Sequence, residues 1–189
     1  MKVIQLRGTN ATGKTTAIRQ FIGKGEFEIG TINVQGLTIE FHEEKKRGII
    51  ILGRYDLSTT GGIDGRITNK TVLRNSIVKI LKELKPHVLI FEGIVYGVTF
   101  KFAFELYRVL QKIGCDYIGV CLIPPLDIAF KRVAERNGGK QINYMSLQSK
   151  WFTAQKSYEM LRRNGVPVVV VDTSKIPKGK MYCIVEDLL

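Results

Sequence analysis

Acidic side chains are what this sequence has least of. Only 17 Asp and Glu face 29 Lys and Arg in 189 residues, giving a formal net charge of +12 and an isoelectric point of about 9.7. Cysteine is sparse as well: Cys115, Cys121 and Cys183 are an odd number without metal-ligand spacing, and Cys121 lies in an apolar run. A disulfide framework and a zinc site are excluded on that count, and reduced thiols fit a cytoplasmic protein. No apolar run approaches the ~20 residues that span a bilayer. The opening "MKVIQLRG" enters a strand pattern directly, leaving no room for a signal peptide. Repeats, low-complexity tracts and linkers rich in Pro, Gly or Ser are also missing, so residues 1–189 read as one globular domain. A chain this long can bury roughly 70% of its unfolded surface.

The charge surplus says more than the absences do. An enzyme of free nucleotides needs a few cations around its phosphates, not an excess of this size. A polyanion does reward it, because each phosphate neutralised releases condensed counterions. Nucleic acid is the partner class that this balance points to.

Five apolar stretches alternate with helical patterns, which predicts an α/β fold with a mostly parallel five-stranded sheet and helices on both faces. The strands are placed at Lys2–Arg7, Leu37–His42, His87–Glu92, Tyr117–Ile123 and Val166–Val171. "RGIIILG", residues 47 to 53, follows the charged turn "EEKK" and reads as an additional strand forming a hairpin with the second. Helices are predicted over Gly13–Gly23, Lys70–Lys85, Phe100–Ile113, Leu126–Asn137 and Tyr144–Asn164. Asn69 can cap the second of these and Pro86 ends it.

The first strand runs into G-x-x-x-x-G-K-T, Gly8 to Thr15, a loop whose backbone N–H groups converge on phosphate at a helix N-terminus. Its phosphate-binding residues are Gly8, Thr9, Asn10, Ala11, Thr12, Gly13, Lys14, Thr15 and Thr16. Lys14 suits the β- and γ-phosphates of ATP, and the Thr15 hydroxyl suits Mg²⁺. "HVLIFEGIVYG" is a buried strand ending in Glu92, where ligands bind in parallel sheets. Glu92 can serve Mg²⁺ or act as the base for an acceptor hydroxyl.

"LGRYDLSTTGGIDGRIT", residues 52 to 68, has no hydrophobic period and is too long for an idle connection. Arg54 can grip a phosphate, Tyr55 offers a ring for stacking, and Gly61, Gly62 and Asp64 can close around an acceptor. Mg²⁺ beside Glu92 would depress its pKa and weaken it as a base, which favours Asp64 for the acceptor proton and Glu92 for the metal. Arg132 and Arg136 stand one helical turn apart before Asn137-Gly138-Gly139, the pattern of a lid that neutralises charge on the moving phosphoryl. Lys45, Lys46 and Arg47, and Arg162, Arg163, Lys175, Lys178 and Lys180, are candidate contacts to a nucleic-acid backbone. Trp151, Phe152 and Tyr158 read as core positions of the last long helix, with Trp151 also able to stack on a base.

The phosphate loop, Glu92, "RVAER" and the final strand "VPVVVVDTS" fall in the order that resembles the thymidylate-kinase-like P-loop kinases. The chain departs from them at Glu92-Gly93, where those enzymes carry Asp-Arg, and at "GRYDLSTTGGIDG", where they carry Glu-Pro-Gly-Gly. "VIQLRGTNATGKTT", "LGRY…GGIDG" and "LIFEGIVYG" resemble more narrowly the phage 5-hydroxymethyluridine DNA kinases. That resemblance implies phosphorylation of the 5-hydroxymethyl group of a DNA base, with ATP and Mg²⁺, in the cytoplasm of an infected host and as a step in thymidine hypermodification. The alternative is a kinase of a free nucleoside or nucleoside monophosphate.

Overall fold

In a computed structural model of the chain, residues 1–56, 62–63, 67, 69–93, 97–138 and 143–189 are described. In chain order the elements are β1 (Lys2–Arg7), α1 (Lys14–Ile22), β2 (Glu28–Val34), β3 (Leu37–Glu44), β4 (Ile49–Leu52), α2 (Lys70–Glu83), β5 (Val88–Glu92) and α3 (Phe100–Lys112). There follow β6 (Asp116–Leu122), α4 (Leu126–Arg136), α5 (Tyr144–Arg163), β7 (Val168–Val171), a 3₁₀ turn (Lys178–Lys180) and α6 (Cys183–Glu186). Among the described residues no helix is long and apolar enough to cross a membrane.

One sheet collects the strands in the order β2-β3-β4-β5-β1-β6-β7, with β4, β5, β1, β6 and β7 parallel. The expected fold class stands, with one change of membership. Leu37–Glu44 runs antiparallel to both neighbours, and Ile49–Leu52 takes the parallel place beside β5. The hairpin between the two occurs as predicted. A second hairpin, β2 with β3, was not foreseen. "EIGTINV" is an edge strand with a single buried residue, Val34, and its alternation is short, running only from Gly30 to Val34. Its turn, Gln35-Gly36, has φ +51 and +81, the mirror-image geometry that suits the twist of a two-residue hairpin.

Covered on both faces, β4 is apolar throughout, and every residue of β5 is buried. On one face Leu89 and Phe91 pack against α2, α3 and α5 through Leu73, Ile77, Leu106 and Leu161. On the other, Ile4, Leu6 and Ile90 meet Ala17, Ile18 and Phe21 of α1. Each fully buried side chain of this size contributes roughly 2 kcal/mol. The C-terminal turn and α6, unforeseen as elements, seat Met181, Ile184 and Val185 on that second face. Asn69 caps α2 as its sequence suggests, accepting from Thr71 N at 2.8 Å and Val72 N at 3.4 Å. The result brings the ends of β1, β5 and β6 side by side.

Candidate active site

At the end of β1 the chain turns at Gly8 with φ +139, and Gly13 at φ +96 opens α1. Neither glycine could gain a side chain. A Cβ on Gly8 would lie 2.6 Å from Leu122 O, and one on Gly13 would collide with Met181 Cε. Ala11 between them also has positive φ, +57, and alternation of this kind shapes a backbone concavity for anions. Lys14 is only 5% exposed, and its ammonium donates to Gly8 O at 3.0 Å and Thr9 O at 2.7 Å. Those bonds hold the charge within the bowl of the loop. The Thr12 hydroxyl closes the turn by donating to Thr9 O at 3.1 Å. Asn10 Oδ1 is buried with no hydrogen-bond partner among the described residues, a polar atom that a ligand or water can satisfy.

Glu92 ends β5 in register with Leu6, next to the loop. It is 2% exposed, and the Thr15 hydroxyl donates to its Oε1 at 2.6 Å. A hydroxyl and a carboxylate in contact form a hard-oxygen pair suited to Mg²⁺. No group of three or more His, Cys, Asp or Glu among the described residues could hold an ion alone. The remaining ligands would therefore come from nucleotide phosphates and water. This donor set fits Mg²⁺ held with a nucleotide.

The glycine-rich loop returns to the same place. Arg54 and Gly62 exchange backbone hydrogen bonds at 3.4 and 3.2 Å, and Ile63 N donates to Glu92 O at 3.4 Å. Gly62 packs so closely on Glu92 that a Cβ there would sit 3.2 Å from its Cγ. Both ends of the loop are thus tied to the strand end that carries Glu92. Asp64 and Gly61 lie outside the described residues. The Arg54 side chain pairs with Asp56 at 2.5 Å, turning its charge toward its own loop.

Three expectations need correcting. Tyr55 offers no ring for stacking: it is 6% exposed, its hydroxyl donates to Leu52 O at 3.3 Å, and it packs in the core with Ile51. Arg132 is engaged elsewhere, donating to Thr173 Oγ1 and Thr173 O, both at 2.9 Å, so its fork anchors α4 to the segment after β7. Arg136 is exposed one turn on, and no described hydrogen bond ties either arginine to the phosphate loop. Phe152 is 54% exposed and not core, while the Trp151 indole N–H donates to Pro124 O at 2.9 Å. The turn with Lys45, Lys46 and Arg47 precedes β4, and Gly48 O accepts from His87 N at the start of β5. That is the sheet end remote from the phosphate loop. Lys45 there pairs with Glu28, and Arg47 with Glu44 and Glu186.

Sequence reasoning missed Arg7. It is 1% exposed, immediately before Gly8, and its guanidinium donates to Gln5 Oε1 at 3.1 Å, Thr99 O at 3.1 Å and Ser157 Oγ at 2.9 Å. Tyr117 OH donates to the same Gln5 oxygen at 2.6 Å, and burial pushes its pKa up to about 12, keeping it a neutral donor. Burial likewise raises the Cys121 thiol, with Arg7 opposing, so this cysteine is unreactive. Arg7 ties the strand before the loop to α5 and to the segment that follows Glu92. Period 2 held a clue: Gln5 and Arg7 share one face of an otherwise apolar strand.

A protein of Pseudomonas phage M6 named 5-hmdU DNA kinase is 26% identical over 175 residues, covering 89% of each chain. The chain resembles the phage 5-hmdU DNA kinases. Two more proteins so named, from Salmonella phage ViI (5-hmdU DNA kinase 1) and Delftia phage PhiW-14, are 26% and 29% identical over 77% and 71% of this chain. It spans 64% and 52% of their lengths, so those relatives of the kinase name are longer than the part matched here. No family model matches the chain. Among solved structures, a tunicamycin resistance protein of Deinococcus radiodurans superposes with a TM-score of 0.54 at 12% identity, covering 99% of this chain and 95% of that one. That likeness concerns the fold alone.

Proposed function

We propose that this protein is a kinase that transfers the γ-phosphoryl group of ATP, with Mg²⁺, to the 5-hydroxymethyl oxygen of hydroxymethyluracil in DNA. The observation that carries the reading is the similarity, over 89% of both chains, to a phage protein named for that activity. On the donor side, the phosphate loop with buried Lys14 and the Thr15–Glu92 pair support it. On the acceptor side, the net charge of +12 suits a polymeric anion.

In the transfer, the hydroxymethyl oxygen forms a bond to the γ-phosphorus as the bond from that phosphorus to the β,γ-bridging oxygen breaks, and ADP leaves. Bound Mg²⁺ supplies charge neutralisation on the phosphates. Lys14 exchanges Gly8 O and Thr9 O for the β- and γ-oxygens, and Thr15 and Glu92 would hold the metal. Asp64, in the loop whose ends flank Glu92, takes the hydroxyl proton. In this reading Arg54 and Arg136 add positive charge near the moving phosphoryl, and Arg132 anchors α4 through Thr173. Residues 1–189 act as one P-loop kinase domain.

Labelled γ-phosphate from ATP, offered to duplex DNA with and without hydroxymethyluracil, tests this. Label is expected in the modified duplex only. Label transferred to free nucleosides or nucleotides and not to DNA would replace this reading with a small-molecule kinase.

A further inference from the structure

The charge surplus is unevenly placed. Residues 24–47, with the β2–β3 hairpin, carry four Lys and Arg against five Asp and Glu. α5 carries four cations, Lys150, Lys156, Arg162 and Arg163, against one acid, Glu159. All four are exposed, and among the described residues none has an acidic partner within 4.0 Å, whereas Lys45 and Arg47 are each neutralised.

The solvent face of α5 is not an ordinary polar one. Met145 is 72% exposed and Phe152 54%. At 3.6 residues per turn, the spacings from Met145 to Phe152, Lys156 and Arg163 place all four along one line of the helix. Exposed Glu159 lies about 40° from that line, while Lys150 and Arg162 lie about 140° and 100° away on the rest of the helix surface. From Lys156 to Arg163 the helix rises ~10 Å, about three base-pair steps of B-form DNA at ~3.4 Å each. Two exposed apolar side chains followed along the line by two cations suit a surface that is both charged and, at its deoxyribose, apolar. The Trp151 bond to Pro124 O fixes the first half of α5 beside the end of β6, whose Leu122 O packs against Gly8 of the phosphate loop. The stripe therefore starts at the catalytic edge of the sheet and leads away from it.

We propose that this face of α5 is the docking surface for the sugar–phosphate backbone of the DNA substrate, with Lys156 and Arg163 on phosphates and Met145 and Phe152 against deoxyribose. The proposal rests on the reading of the protein as a DNA kinase, and commits the duplex to this side of the molecule and not to the Lys45–Arg47 turn.

The test is the salt dependence of binding to a fluorescent duplex carrying hydroxymethyluracil, between about 50 and 200 mM salt, where log K falls by ~0.9 per phosphate contact per decade. Lys156→Gln with Arg163→Gln should flatten that slope by about 2 and weaken binding about tenfold or more. ATP affinity of the double variant reports that the phosphate loop is intact. Lys46→Gln on the opposite end should leave the slope as it is. A wild-type slope retained by the double variant overturns the surface while leaving the DNA reading in place. A flat salt response of the wild-type protein overturns the DNA reading and the surface with it.

Discussion

Replacing Glu92 by Gln separates what this residue does for the fold from what it does for a metal. Thr15 donates to the carboxylate at 2.6 Å in a buried setting, and an amide oxygen can accept the same bond. What is lost is charge assistance: a hydrogen bond to a charged group contributes ~1.5–3 kcal/mol and a neutral one ~0.5–1.5, a difference of about 1 kcal/mol. At this chain length that lowers the melting temperature by about 2–4 °C. The effect on Mg²⁺ should be much larger, because groups that hold or orient a metal typically change its affinity about 10–100-fold. Initial rates of phosphoryl transfer across a Mg²⁺ titration, run beside thermal melts, read both. The expected result is a half-saturation raised about 10–100-fold, with kcat restored by excess Mg²⁺. Asp64→Asn should instead depress kcat for DNA at every Mg²⁺ concentration and spare ATP binding. If excess Mg²⁺ failed to rescue Glu92→Gln while Asp64→Asn was silent, the two carboxylates would exchange roles.

Lys14→Met keeps the buried stem and removes the ammonium; transfer should fall about 10³-fold while a thermal melt still reports a folded protein, and near-normal turnover would remove the phosphate-loop assignment. Arg7→Met strands Thr99 O and Ser157 Oγ at ~1–3 kcal/mol each, offset partly by relief of a buried cation. Urea unfolding should show a net loss of about 3 kcal/mol, and a loss under about 1 would mean that the buried fork is not a stabilising tie. His42 is 8% exposed with Nε2 lacking a hydrogen-bond partner among the described residues, and burial holds its pKa below the ordinary value, with Glu40 opposing. The unfolded imidazole then takes up protons first, so stability is full above the unfolded pKa of about 6.5 and declines as pH falls through it toward the folded value. His42→Gln should flatten unfolding free energy between about pH 5 and 7, and an unchanged slope would place the acid sensitivity elsewhere.

Where strong local signals agree, the sequence is readable. "VIQLRGTNATGKTT" specifies strand, glycine loop and helix at once, and "NKTVLRNSIVKILKELKP" announces its own cap and stop. The β2–β3 hairpin is harder to read because the alternation of its edge strand spans only Gly30 to Val34 with one buried residue, and the place beside β5 in the parallel sheet belongs to β4 and not to Leu37–Glu44. Tyr55 and Phe152 exchanged their expected environments for a similar reason. An aromatic in a glycine-rich stretch looks available, and one on a long helix looks buried, yet tertiary packing decides both. Arg132 illustrates the limit for charged groups: a spacing of four residues shows that two arginines share a helix face, and only Thr173, 41 residues away, shows what one of them holds.

Transfer of γ-phosphate from ATP to duplex DNA, compared between hydroxymethyluracil and thymine at the same position, tests the central claim most directly. The account predicts Mg²⁺-dependent label on the hydroxymethylated duplex, stable as a phosphomonoester on the base, and none on the thymine duplex. Equal label on both duplexes, or label only on free nucleotides, would contradict it.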